Sequence, residues 1–192
     1  VSSIFPENRL ELAGTGRHRQ GSLPTGHDQP RLETAGLGGD ELGLRVAAWA
    51  ERVMGVTLMA WQIRALCGQL STDDDGQLIF RKALVSTARQ NGKSIALQAL
   101  IGWWVTEYAA ILGRPQNVLS VANRLDRAEG IFAGLAPKLV ELFDAKKLEA
   151  IGRKSVKFQD GSVWEIRAAS KRLHGGSYDL IVIDEAFDIS PD

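Results

Sequence analysis

Cysteine is almost missing from this chain. Cys67 stands alone, so no internal disulfide can form, and a reducing compartment is the expectation. Neither sign of charge is in excess. Lys plus Arg number 23 and Asp plus Glu 23, which leaves no global attraction to nucleic acid or to an anionic membrane. Any such partner must be met by a local basic face. No apolar run approaches the roughly 18 residues that cross a bilayer, and the first residues show no basic start followed by an apolar stretch. Neither a membrane span nor a secretory signal is therefore expected. His and Cys do not cluster at metal-ligand spacing, which argues against zinc.

What is present is ordinary for a globular chain: 192 residues, 44% apolar and 24% charged, enough for one domain with a real core. Residues 1–39 differ from the rest, being rich in Gly, Pro and polar residues without a sustained period. They read as an extended or flexible arm, or as an arm that binds a partner. Order is expected from Asp40, an N-cap for a helix carrying Leu42, Val46, Trp49 and Val53 at helical spacing. A second short helix fits "AWQIRALCGQL", and "TDDDGQ" is a turn. "LIFRKALVS" reads as a strand, and "SIALQALIGWWVTEYAAIL" as a long buried helix. "NVLSVA" is a further strand. The helix after it is interrupted or ended near Pro137, and "SVKFQDGSVWEIRAA" is a hairpin turning at Asp160-Gly161. "LIVI", Leu180 to Ile183, suits a strand buried on both faces of a parallel sheet. Strands alternating with long helices predict an α/β fold with a mostly parallel sheet flanked by helices.

Two stretches carry chemistry. "TARQNGKS", Thr87 to Ser94, falls between a predicted strand and a long helix, and approximates the phosphate-loop pattern G-x-x-x-x-G-K-[ST]. The backbone of Thr87, Ala88, Arg89, Gln90, Asn91 and Gly92 would curl around phosphates at a helix N-terminus, where the dipole favours anions. Lys93 would reach the β- and γ-phosphates, and Ser94 would take a place on Mg2+. Thr87 replaces the first glycine, which the loop tolerates if that residue keeps ordinary dihedrals. About ninety residues on, "LIVIDEA" is an apolar run ending in Asp184 and Glu185. That is a Walker B arrangement: Asp184 to hold Mg2+, Glu185 to orient and deprotonate the attacking water. The two motifs together predict a P-loop NTPase of the RecA/ASCE-like kind with Glu185 and Lys93 as catalytic residues. Glu185 and the lack of an N-K-x-D guanine motif favour ATP over GTP.

With "TARQNGKS", "YDLIVIDEA", the upstream "MAWQ" and the intervening "VLSVANRLDRAEGIF" quoted, the chain resembles the large terminase subunit of tailed bacteriophages over about residues 57 to 188. That resemblance implies an ATP-hydrolysing motor that drives double-stranded DNA into a procapsid. ATP and Mg2+ are its cofactors, and portal protein and the small terminase subunit its partners. It also implies a homo-oligomeric ring in the host cytoplasm, docked transiently on the procapsid. Trp61 and Gln62 match the adenine-side motif, with the Gln62 amide reading the base. Arg89 matches an arginine near the γ-phosphate. Arg172 is a candidate finger acting on a neighbouring subunit, with Lys171 and Arg153 as rivals and His174 as a turn residue. The basic residues of "NRLDRAEG" and of Lys146 to Lys157 are candidate DNA contacts or a solvated surface. Full-length relatives continue past Walker B into a coupling motif and a nuclease domain. Residues 40–192 thus correspond to an ATPase domain that stops after the Walker B strand, without the nuclease acids.

Three other readings fit parts of the sequence. A superfamily-two helicase core shares the upstream glutamine and the D-E-A box, but fits "RQNGKS" poorly and lacks a visible S-A-T segment. A non-hydrolysing nucleotide-binding assembly module would keep Lys93 without needing Glu185. A structural α/β domain would need neither.

Overall fold

The computed structural model describes residues 30–34, 37–88, 90–122, 125–150, 153–168 and 176–184. Helix α1, Glu41–Trp49, runs on through a π-helical turn at Ala50–Met54. Asp40 occupies its N-cap position as expected, although its side chain makes no capping bond. Helix α2 follows at Ala60–Gln69. The "TDDDGQ" turn is held by the Asp73 carboxylate, which accepts the Asp75 and Gln77 N–H groups at 3.0 and 2.8 Å.

Helix α3, Lys93–Trp103, continues through a π-helical turn at Trp104–Tyr108 into α4, Ala109–Leu112. By length and composition these 20 residues are apolar enough to cross a bilayer, because Gln98, Thr106 and Glu107 dilute the run without cancelling it. Their Ala99, Ile101, Trp103 and Val105 are buried in the protein's own core. The seat of α3 on α1 is close. A Cβ on Gly102 would lie 2.0 Å from the Trp49 ring. The Trp49 indole N–H donates to Thr106 Oγ1 at 3.1 Å, and that hydroxyl donates to the Gly102 carbonyl at 2.7 Å.

Strand β1, Asn117–Ala122, is followed by α5, Leu125–Phe143. Pro137 neither interrupts nor ends α5. It removes one helical hydrogen bond, but Ile131, Phe132, Leu135, Ala136 and Leu139 are all buried along one stripe and hold the helix to the sheet across it. Strands β2 (Lys146–Ala150), β3 (Arg153–Lys157), β4 (Val163–Ala168) and β5 (Leu180–Ile183) complete one sheet in the order β2-β3-β4-β1-β5. The β4–β1 and β1–β5 pairings are parallel, whereas β2–β3 and β3–β4 are antiparallel. The fold is therefore α/β as expected, but the sheet is mixed rather than mostly parallel. The β2 strand escaped the sequence reading because its lysines mark a protected edge instead of a core.

One face of the sheet carries Val118, Ser120, Val156, Trp164, Ile166 and Val182 in register, and α5 packs on it. Phe132 lies 5.1 Å from Trp164, whose N–H donates to Ser120 Oγ at 2.9 Å. Two sequence expectations need correction. Strand β5 lies at the edge of the described sheet, with Ile181 and Ile183 about half exposed, so it is not buried on both faces. The stretch "LIFRKALVS" forms no strand beyond a single bridge from Leu78 to Thr72. A strand exists only by pairing, and residues 82–88 have no partner strand among the described residues; Leu84 is largely exposed.

Candidate functional site

The loop before α3 has left-handed backbone at two of its described residues, Gln90 (φ 61) and Gly92 (φ 76). Thr87 is not among the positive-φ residues, so it meets the condition on which the missing first glycine can be tolerated. Its hydroxyl accepts a hydrogen bond from Asn91 Nδ2 at 3.1 Å, closing the loop on itself. The Lys93 ammonium folds back over this curl, 3.5 Å from both the Thr87 and Ala88 carbonyls. Gly92 brings no side chain to cap α3, and its carbonyl accepts the Ile95 N–H at 3.1 Å. Ser94, in the first turn of α3, is exposed. The Lys93 ammonium thus lies over the loop at the start of a long helix, the end whose dipole favours an anion.

Gln62 is brought to the same place from α2. It is 2% exposed, and both ends of its amide are engaged. Oε1 accepts the Met59 N–H at 2.7 Å, forming the α2 capping box, and Nε2 donates to the Gly92 carbonyl at 2.8 Å. The signal for this was in the sequence: a glutamine at the third helical position is a capping residue. Trp61, half-buried beside it, lines a groove of about 1090 Å³ that also touches Thr87, Asn91, Leu84 and Val85. Arg64 and Glu33 pair across this groove at 2.6 Å. The Arg64 hydrogen bond holds the Glu33 carboxyl below its ordinary pKa.

Asp184 follows β5 directly, and its N–H donates to the Val121 carbonyl at 3.1 Å. This puts it at the carboxyl end of the parallel strands, where open α/β sheets bind ligands. The entry to β5 is fixed on both sides. Asp179 accepts the Asn117 N–H at 2.8 Å and the Arg114 guanidinium at 2.7 Å. The Tyr178 hydroxyl donates at 2.5 Å to the buried carboxylate of Glu165, which also pairs with Arg167 at 3.0 Å. Glu185, Arg89, Arg172, Lys171 and His174 lie outside the described residues, as does the Arg153 side chain.

The basic stretch from Lys146 to Lys157 forms the β2–β3 hairpin. Lys147 pairs with Glu149 and Lys154 with Glu129, each at 2.9 Å. Lys146 and Lys157 face each other across the ladder and are exposed.

A five-stranded mixed sheet flanked by helices, with a glycine-lysine-serine loop opening a buried helix, defines an α/β domain similar in fold to part of a phage large terminase. In particular, it is similar to the crystal structure of the bacteriophage HK97 large terminase, with a TM-score of 0.58 and 23% identity over 74% of this chain. The match takes in 31% of the HK97 protein, so the chain spans about a third of that relative's length. A mutant ATPase domain of the Thermus phage P74-26 large terminase matches more distantly, with a TM-score of 0.39 and 23% identity over 51% of this chain and 45% of that one. No family model and no curated protein matches the sequence.

Proposed function

We propose that this chain is the ATP-hydrolysing motor domain of a DNA-packaging large terminase, with a P-loop NTPase fold. The observation that carries the reading is the Lys93 ammonium poised over the Thr87–Gly92 curl at the start of α3. The Thr87 and Ala88 carbonyls lie at the limit of hydrogen-bond range, and a triphosphate would be a stronger partner for the ammonium and for the N–H groups at the helix start. The fold likeness to the HK97 protein supports the same assignment. Lys93 neutralises the β- and γ-phosphates, and Arg89 adds charge beside them. The Ser94 hydroxyl and the Asp184 carboxylate are hard oxygen donors of the type Mg2+ takes, and would hold it. Bound there, Mg2+ supplies charge neutralisation of the phosphate oxygens. Glu185 orients and deprotonates the attacking water, and Arg172 reaches a neighbouring subunit's site. Double-stranded DNA, a portal and a small terminase subunit are the partners in this reading, and a ring docked on a procapsid in the host cytoplasm is its working form.

The test is a titration of a non-hydrolysable ATP analogue with Mg2+ into the wild-type chain and Lys93→Ala. Wild type should bind, and the variant should bind at least tenfold more weakly. Equal binding by both refutes the phosphate-loop reading. Glu185→Gln should bind ATP while losing any hydrolysis that the wild type shows.

A further inference from the structure

The whole chain carries no net charge, yet between Lys146 and Lys157 five basic residues stand against one acid. The β2–β3 hairpin sorts its lysines onto two faces, because residues paired across a ladder share a face and successive residues alternate. On the face turned to α5 the lysines are compensated. Lys147 pairs with Glu149 and lies 5.7 Å from the Phe132 ring, and Lys154 pairs with Glu129. On the other face Lys146 stands directly across from Lys157, and both are exposed. Among the described residues neither makes an ion pair. Two acids close in sequence are engaged elsewhere: Asp144 accepts from Gln159, and Asp160 accepts from Ser162. Like charges set opposite each other in a ladder cost stability. Protection of an outer strand accounts for a lysine at 146 but not for one at 157, because β3 is paired on both sides. The fold thus keeps two uncompensated ammonium groups side by side.

We infer that Lys146 and Lys157 form a contact for the phosphodiester backbone of duplex DNA. Charge complementarity carries the assignment. Phosphate contacts fix a duplex in place without reading its sequence, and lysine serves them as a point charge. The choice of DNA among polyanions rests on the motor reading above, which it deepens by naming a surface for that partner.

The experiment titrates a short, fluorescently labelled DNA duplex with the full chain at several salt concentrations. Lys146→Gln/Lys157→Gln is compared with Lys147→Gln/Lys154→Gln, which removes the same charge from the other face. At about 50 mM salt the first variant should bind at least tenfold more weakly than wild type, and the gap should narrow by about tenfold by 200 mM. Its plot of log affinity against log salt should be shallower by about 1.8, the value for two lost phosphate contacts. A second duplex of unrelated sequence should lose as much, and the control variant should stay close to wild type. The urea midpoint of the first variant should be unchanged or higher, since a like-charge pair has been relieved. Equal weakening by both variants would overturn the proposal, because net charge rather than this face would then be at work. A lower urea midpoint would overturn it by showing that the lysines hold the hairpin. Tighter binding to vesicles of phosphatidylserine and phosphatidylcholine than to the duplex, lost in the same variant, would assign the pair to a membrane instead. A wild-type chain that binds no duplex also overturns it, while the ATP-analogue titration still decides the phosphate-loop reading.

Discussion

Gly102→Ala sets two physical rules against each other. In a helix interior, alanine is favoured over glycine by about 1 kcal/mol. At this position, however, the new methyl would lie 2.0 Å from Trp49 Cη2 and 2.7 Å from two neighbouring ring atoms. Trp49 cannot yield easily. It is fully buried, stacks 6.5 Å from Phe143, and donates its N–H to Thr106. Overpacking such a site costs about 1–3 kcal/mol, and moving the indole forfeits a hydrogen bond worth about 1 kcal/mol. After the helix-propensity gain, the net loss is about 1–3 kcal/mol. In urea, with a slope of about 2 kcal/mol per molar, the midpoint should fall by about 0.5–1.5 M. The control is the same substitution in a Trp49→Phe background, where the smaller ring removes the clash and Gly102→Ala should become neutral or stabilising. A midpoint that rises in the wild-type background, or an equal loss in both, would show that the α1–α3 seat is not set by this contact.

Two further outcomes concern ionisable groups. Burial, with help from the Asp40 carboxylate, pushes the Cys67 thiol up to about 11 from its ordinary value. Its thiolate fraction at pH 8 should be about a hundredfold below that of the unfolded chain. A disulfide reagent should therefore modify it much more slowly before urea than after, and comparable rates would contradict the burial. Burial opposes the charged form of Asp179, but the Asn117 N–H and Arg114 outweigh it and hold its pKa below the ordinary aspartate value. A depressed folded pKa gives stability that is present above the unfolded value of about 3.9 and lost as pH falls through the folded one. Asp179→Asn should thus be less stable than wild type in urea at pH 7, with the gap closing under more acid conditions. A gap that stays constant with pH would remove the electrostatic account.

The sequence was most legible where one element makes its own case. "NVLSVA" became β1 and the apolar run after Ser94 became the central helix, because each carries enough buried surface to decide its state locally. It was least legible where state depends on a partner. "LIFRKALVS" has strand composition, but composition cannot supply a neighbouring strand. The lysines of β2 look like solvated surface until β3 is laid beside them. Pro137 is a helix breaker by local rules and is overruled by the stripe that α5 buries. At the site, the order of residues alone pointed to the loop that opens the central helix at Lys93. The hydrogen bond from Gln62 to the Gly92 carbonyl could not be read that way, because it joins positions thirty residues apart.

The missing first glycine of the loop is best understood through those partners. The proposed phosphate loop has to curl, and left-handed backbone turns a chain sharply. Among the loop's described residues the left-handed positions are Gln90 and Gly92, and Thr87 keeps an ordinary conformation with its hydroxyl accepting from Asn91. A non-glycine residue at φ 61 costs about 1–2 kcal/mol and persists only where the surroundings hold it. Those surroundings are identifiable: the Thr87–Asn91 bond on one side, and the Gln62–Gly92 bond on the other. A glycine at position 87 would make the curl easier to form and also easier to lose. At that position threonine orders the loop through the hydrogen bond its hydroxyl accepts from Asn91, which a glycine could not make.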